Sequence, residues 1–303
     1  MIIFRHWITA ALLFAASGSL CRAVGQQRPY IFATYTYSTN NRLANLGPLV
    51  QYLSQATGRE FRAVSYPTVS ALISAIQHDS VDFAMMNTSG YLILQRKTPG
   101  KAKPLVNLDM QGSAGTNYGG CLIALKSAGY TRLSDLRLVQ GRPSLALVNS
   151  SSTSGNLVPR LLFNSAGIAN PDSSFSLTYA GTHKKVVEAV LSGNAVLGGC
   201  GCAEIDSARI HQGFSGKAVA IDSFNNIPLG PVVYRSGTSE PFRHQVSALL
   251  TNLNEKDPGV FVNFCNGWTE FKGARGFRKI SDQEYDQFRK MFGSNTRLWQ
   301  LIE

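Results

Sequence analysis

The chain reads as an α/β fold in two lobes, and three observations predict it. Short apolar runs of buried-strand type alternate with segments of helical period from Tyr30 onward, the rhythm of a largely parallel sheet covered by helices. A glycine-rich stretch, Gly112 to Gly120, interrupts that rhythm and has the composition of a crossover between lobes. After it the same alternation starts again. The expected division is 28–115 with 226–303 as lobe one and 116–225 as lobe two.

Taken in order, Tyr30 to Thr34 is the first strand, and the aromatic and polar residues Tyr35 to Asn41 form a loop. Leu43 to Ala56 has helical period and stops at Gly58, where a glycine can take the left-handed conformation. Phe61 to Ser65 is the second strand, with Tyr66-Pro67 opening a helix that runs to Gln77. Val81 to Met86 is the third strand, followed by Asn87-Thr88 and a helix around Tyr91 to Arg96. Beyond the crossover, Cys121 to Leu125, Ser144 to Val148, Phe175 to Tyr179, Ala195 to Cys200 and Lys217 to Ile221 are strands. Ala180-Gly-Thr-His183 opens a helix to Leu191, and Ala203 to His211 is another. Pro231 to Tyr234 is a return strand, and the tail from Glu240 is expected to be helical and to pack on lobe one.

Composition narrows the function. Of the 303 residues, 44% are hydrophobic, enough for a packed core. Met1 to Ala16 joins a basic start to an apolar run too short to span a membrane, so residues 1–23 read as an export leader cut after Ala23. No later stretch has the length of a membrane span, which places the mature chain in the periplasm, touching the membrane only through a partner. The net charge is +11. Losing Arg5 and Arg22 with the leader leaves a strongly basic chain whose lysines and arginines are scattered, a field suited to small anions. Export argues against nucleic acid. Four cysteines remain, Cys121, Cys200, Cys202 and Cys265. One or two disulfides are expected in an oxidising compartment, with connectivity open. Cys200-Gly-Cys202 lacks the companion ligands of a zinc site; no metal and no cofactor is expected.

Ser150 to Ser154 follows a buried strand and precedes the helical run Leu157, Leu161, Leu162. Free N–H groups and the positive end of the dipole at such a helix start favour an anion, and the hydroxyls add donors. One hydroxyl would serve as an ordinary cap. Five in a row exceed that need.

Ser152-Thr-Ser-Gly-Asn-Leu-Val-Pro159 and Tyr179-Ala-Gly-Thr-His183 resemble, in residues and separation, signatures of the phosphonate, phosphite and phosphate receptors of ABC importers. Val81-Asp-Phe-Ala84, Ser134-Asp-Leu136 and Ile227-Pro228 with Pro231 are softer matches. The resemblance implies a two-lobed type II periplasmic-binding-protein fold with the ligand cleft between the lobes, an ABC permease as partner, and no enzymatic activity. It also implies that Ser152, Thr153, Ser154 and His183 donate to an oxyanion, that Tyr66 and Tyr91 close over it from lobe one, and that Tyr118 lies near the hinge. Where that family often carries an acidic residue after Gly193-Asn194, this chain has Ala195-Val196, an argument against an amine-bearing ligand. Cysteines are not part of the common pattern either. A subgroup of the same fold senses arsenite through a cysteine and reports to a histidine kinase, so Cys121 is a second candidate ligand, for soft trivalent arsenic. A disulfide to Cys200 or Cys202 would remove that option. An exported enzyme is disfavoured, because no nucleophile elbow, paired carboxylates or metal cluster is present.

Overall fold

The computed structural model describes residues 28–37, 40–110, 118–139, 141–293 and 295–300. The expected leader, residues 1–23, lies outside them, as does the crossover up to residue 117. The first four strands are β1 (Tyr30–Tyr35), β2 (Phe61–Tyr66), β3 (Phe83–Met85) and β4 (Ala102–Asp109). The next five are β5 (Gly120–Leu125), β6 (Ser144–Leu147), β7 (Ser176–Tyr179), β8 (Leu197–Gly201) and β9 (Ala218–Phe224), followed by β10 (Val232–Arg235) and β11 (Gly276–Lys279). They form two sheets, ordered β11-β4-β10-β3-β1-β2 and β7-β6-β8-β5-β9. The first sheet thus draws on residues before 110 and after 231, and the second on the stretch between.

β1 runs parallel to β2 and β3, and β10 returns antiparallel between β3 and β4. In the second sheet β6 is parallel to β7 and β8, while β5 is antiparallel to β8 and β9. Alternation along β1 divides the core of lobe one: Phe32 faces the helices that follow β1 and β10, and Ala33 the opposite side. The cluster on the Ala33 side continues through Tyr91 into Leu122, Leu145 and Phe163 of lobe two. One apolar core therefore runs behind the cleft and joins the lobes.

Two strands depart from the sequence reading. β4 contains Lys103 and Pro104, and a proline cannot donate to a ladder; here it sits where the pairing with β10 shifts register, between Val232 and Val233. β11 is a four-residue strand within the tail expected to be helical. Among the helices, α1 (Arg42–Thr57), α2 (Val69–Gln77) and α3 (Thr88–Lys97) cover lobe one. In lobe two lie α4 (Val158–Ser165), α5 (Pro171–Ser174), α6 (His183–Leu191), α7 (Cys202–His211) and α8 (Phe214–Lys217). The tail carries α9 (Glu240–Thr251), α10 (Leu253–Lys256), α11 (Pro258–Cys265), α12 (Asp286–Lys290) and α13 (Thr296–Gln300).

The end of the tail does not stay on lobe one. Tyr285 donates to the Leu229 carbonyl at 2.7 Å, whereas the Phe288 ring lies 5.5 Å from that of Phe224 at the end of β9. Asn295 donates to Asn164 of α4 at 2.6 Å. The last two helices span both lobes.

Candidate ligand-binding site

Five helices or helical turns, after β1, β2, β3, β6 and β7, begin at strand carboxyl ends and are each capped by a neutral side chain, whereas α7 after β8 has no side-chain cap and carries Glu204 in its first turn. Asn41 accepts from the Ala44 N–H at 3.0 Å, Thr68 from Ala71 at 3.0 Å, Asn87 from Gly90 at 2.9 Å and Thr182 from Lys185 at 3.2 Å. Ser152 accepts from Gly155 at 3.1 Å. None of these five starts carries an acidic residue in its first turn. The positive ends of their dipoles are left without a countercharge from their own sequence.

The turn after β6 is a π-turn, Thr153–Leu157, that runs into α4. The Leu157 N–H reaches back to the Ser152 carbonyl at 3.0 Å, the five-residue step that widens the backbone there. Gly155 is required for it, since a Cβ at that position would lie 2.2 Å from Cγ2 of Val148 and 3.1 Å from the His183 ring. Asn156 closes the loop from inside by donating to the Ser150 carbonyl at 2.7 Å, and Arg160 Nε donates to the Asn156 side-chain oxygen at 3.0 Å. Arg160 itself is fully buried and paired with Asp172 at 2.8 Å.

Ser152, Thr153 and Ser154 are all buried. The Ser152 and Thr153 oxygens accept backbone N–H groups, so each hydroxyl proton stays free to donate onward. The donor to Thr153 comes from the other lobe: the Ser89 N–H reaches its Oγ1 at 3.0 Å. Alongside it, Asn87 Nδ2 donates to the Ser151 carbonyl at 2.8 Å. The start of α3 is therefore docked on the hydroxyl turn, and the two lobes are in contact.

His183 lies against the same turn. Its Nδ1 accepts the Gly201 N–H at 2.9 Å, which fixes the neutral tautomer with hydrogen on Nε2. Burial drives its pKa from 6.5 down to about 4, so the ring remains a neutral donor across physiological pH. Tyr118 joins this group. Burial pushes its phenol well above the usual range, opposed by side-chain hydrogen bonds to Ser154 and Thr153.

On the lobe-one side Tyr35, next to β2, has its pKa raised to about 12, first by burial, with the Arg42 charge acting against it. Tyr37 is raised by burial and then by Glu270, and the more distant Glu204 of α7 acts in the same direction from lobe two. Tyr66 ends β2 beside Tyr35, half-buried, and its carbonyl accepts the Thr36 N–H at 2.8 Å. Among the described residues no hydrogen bond joins its side chain to the hydroxyl turn.

Two expected ligand residues are placed elsewhere. Tyr91 is fully buried, its hydroxyl donates to Asp282, and its ring packs 4.6 Å from that of Tyr285. Its polar end is thus committed to the tail of the chain. Cys121 is bonded to Cys202 and presents no thiol. Cys200 lies opposite Cys121 in the ladder and is free and buried, as Cys265 is free and partly buried. Burial raises the thiols of Cys200 and Cys265, the latter to about 12, which suppresses thiolate. No group of three or more His, Cys, Asp or Glu residues suited to a metal ion occurs among the described residues.

The sequence reading passed over Tyr35, Arg42, Asn87 and Ser89. Asn87-Thr-Ser89 repeats after β3, in brief, the polar pattern that marked 150–154 after β6. The same rule about strand ends would have found it.

The chain matches, over residues 32–285, the family model described as ABC transporter, phosphonate, periplasmic substrate-binding protein. Solved structures with this fold include a Xanthomonas citri protein bound to chloride ion, with TM-score 0.71, 19% identity, and 89% of this chain and 98% of that chain covered. PhnD1 of Prochlorococcus marinus in complex with methylphosphonate gives TM-score 0.66 at 13% identity, covering 87% and 96%. The binding-protein component of a Pseudomonas aeruginosa ABC phosphonate transporter gives TM-score 0.66 at 20% identity, covering 89% and 87%. The architecture is the two-lobed fold of periplasmic binding proteins.

Proposed function

Since the chain belongs to the family of periplasmic substrate-binding proteins of phosphonate ABC transporters, a family of binding proteins and not enzymes, we propose that it captures a small phosphonate, phosphite or phosphate between its lobes and delivers it to an ABC permease. The observation that carries this reading is the set of five capped helix starts, none with an acid in its first turn, grouped with the hydroxyls of Ser152, Thr153 and Ser154 and a neutral His183. Such a site binds an oxyanion through neutral donors already in place.

Lobe two receives the anion first, because its turn is braced by its own hydrogen bonds. The N-terminus of α3 then arrives from lobe one and completes the shell as the hinge closes. Tyr118 follows the crossover and bonds to the turn, so it registers that closure. A periplasmic location, reached through the leader at residues 1–23, fits this role.

The alternative of arsenite capture would need the Cys121 sulfur free, and its bond to Cys202 stands against that. Calorimetry with phosphate, phosphite, methylphosphonate, sulfate and arsenite tests the assignment. Saturable heat with at least one of the phosphorus compounds and none with arsenite is expected. Absence of binding to all three phosphorus compounds would refute the reading.

A further inference from the structure

Arg42, the first residue of α1, is only 4% exposed. Its Nε donates to the Gly267 carbonyl at 3.1 Å, and its Nη1 is buried without an acceptor. Three aromatic rings hold the guanidinium: its carbon lies 4.3 Å from the Tyr35 ring centre, 4.8 Å from Tyr37 and 5.1 Å from Trp268. Aromatic faces attract a cation without neutralising it. Arg160, the other buried arginine, has Asp172 as its ion partner at 2.8 Å. Among the described residues Arg42 has none. A charge taken this far from water is costly unless something offsets it.

The position explains what could. Arg42 stands at the carboxyl end of β1, on the side of the sheet edge where open α/β sheets bind ligands. Tyr35, on which it lies, is electrostatically coupled to Tyr118, and Tyr118 bonds to Ser154 and Thr153. Two tyrosines, Tyr35 and Tyr118, therefore link Arg42 to the hydroxyl turn. Glu270 is felt by Tyr35, Tyr37 and Tyr118 and Glu204 by Tyr37, yet neither acid forms an ion pair with Arg42 among the described residues.

We propose that Arg42, held between Tyr35, Tyr37 and Trp268, receives a second acidic group of the ligand, so that this protein prefers a phosphonate bearing a further carboxylate or phosphoryl group over a simple alkylphosphonate. The proposal rests on the reading that the first oxyanion sits on the hydroxyl turn. A guanidinium presents a planar fork of donors that matches a carboxylate or phosphoryl group, and a bound acid would supply the missing countercharge. A diacid would bridge the lobes, one end on the neutral donors and the other on the buried charge.

The test is calorimetry of the purified protein with methylphosphonate, 2-aminoethylphosphonate and phosphonoacetate, repeated on Arg42→Gln and Arg42→Lys. Phosphonoacetate is expected to bind wild type at least about tenfold more tightly than methylphosphonate, the worth of one charge-assisted hydrogen bond. Arg42→Gln should erase that preference and leave methylphosphonate affinity within about twofold, and Arg42→Lys should keep part of the preference through its charge. Equal wild-type affinities for methylphosphonate and phosphonoacetate would overturn the proposal while leaving the phosphonate reading intact. So would an Arg42→Gln variant that weakens both ligands alike, the mark of a purely structural arginine. If Arg42→Gln does not fold, the Arg42→Lys pair of affinities and the wild-type preference decide in its place. Failure of every phosphonate to bind would remove the underlying reading and this proposal with it.

Discussion

The two walls of the cleft are built differently. Lobe two offers a short backbone turn whose polar atoms are bonded to one another: Ser152 to Gly155, Asn156 to Ser150, Arg160 to Asn156, His183 to Gly201. Lobe one offers rings and a charge, with Tyr35, Tyr37 and Trp268 around Arg42. The first wall is braced by its own hydrogen bonds, which under the proposed function would preorganise it for an anion. The second adds the Asn87 and Ser89 donors at the start of α3 and one buried positive charge at Arg42. Affinity for the oxyanion is thus expected to reside in lobe two, and discrimination among the groups attached to it in lobe one.

That contrast can be broken most directly at the turn. Replacing Thr153 and Ser154 together by alanine should lower oxyanion affinity by at least about a hundredfold, since hydrogen bonds to a charged group contribute roughly 1.5–3 kcal/mol each. Calorimetry measures it, and stability in thermal unfolding should fall by the roughly 1–3 kcal/mol that leaving the buried Ser89 N–H without its Thr153 acceptor costs. An unchanged affinity would move the site off lobe two.

The disulfide separates stability from binding within that wall. Cys121→Ser with Cys202→Ser opens a link across 81 residues of sequence and should cost about 2–4 kcal/mol in denaturant unfolding. Ligand affinity should stay close to wild type, because neither sulfur belongs to the donor set. Thiol titration of the unfolded, unreduced protein should find Cys200 and Cys265 and not the other pair.

Bracing rather than contact is tested at Asn156. Asn156→Leu frees the Ser150 carbonyl and leaves Arg160 Nε without its acceptor in a buried site, at a cost of about 1–3 kcal/mol in stability. Affinity should fall by about tenfold although the residue need not touch the ligand. A loss of stability with no change in affinity would show that the turn needs no brace.

Protonation sharpens the comparison further. His183 has its folded pKa depressed from 6.5 to about 4, so its contribution to stability is whole above 6.5 and is lost as pH falls from there towards 4. Between pH 7 and 5 the affinity for a ligand of constant charge should show no histidine step, and chemical denaturation should show a gradual loss of stability. A step in affinity near pH 6.5 would mean that a charged imidazole binds the anion.

The smallest effect is expected at Tyr91. Tyr91→Phe removes a hydroxyl bonded to Asp282 and should leave ligand affinity within about twofold while stability falls by about 1 kcal/mol. Loss of binding in this variant would return Tyr91 to the cleft.

Much of the architecture was legible in local pattern. The strand and helix alternation and the hydroxyl run that caps the helical turn after β6 depend on residues a few positions apart, where periodicity and capping chemistry act. The hydroxyl turn was readable for the same reason: Ser152, Thr153, Ser154 and Gly155 are consecutive, and a strand that ends in such a run before a helical pattern has few alternatives. What lay beyond reach depends on partners far along the chain. Tyr91 reads as a cleft tyrosine until Asp282 takes its hydroxyl, and Arg42, just before the helix expected from Leu43, carries no local signal of its burial by Gly267 and Trp268. Pro104 argues against a strand until the register shift in β10 accommodates it. The choice of Cys202 over Cys200 as the partner of Cys121 was made where the chain leaves β8 for α7 and the Cys202 N–H bonds to the Gly119 carbonyl at 3.0 Å. The sequence by itself determined most of the strands and helices and the hydroxyl-rich turn after β6, because these follow from short-range hydrogen bonding and side-chain period; only the tertiary structure decided β4 and β11 and which tyrosines, cysteines and charges meet, because that depends on how the two sheets and the tail pack.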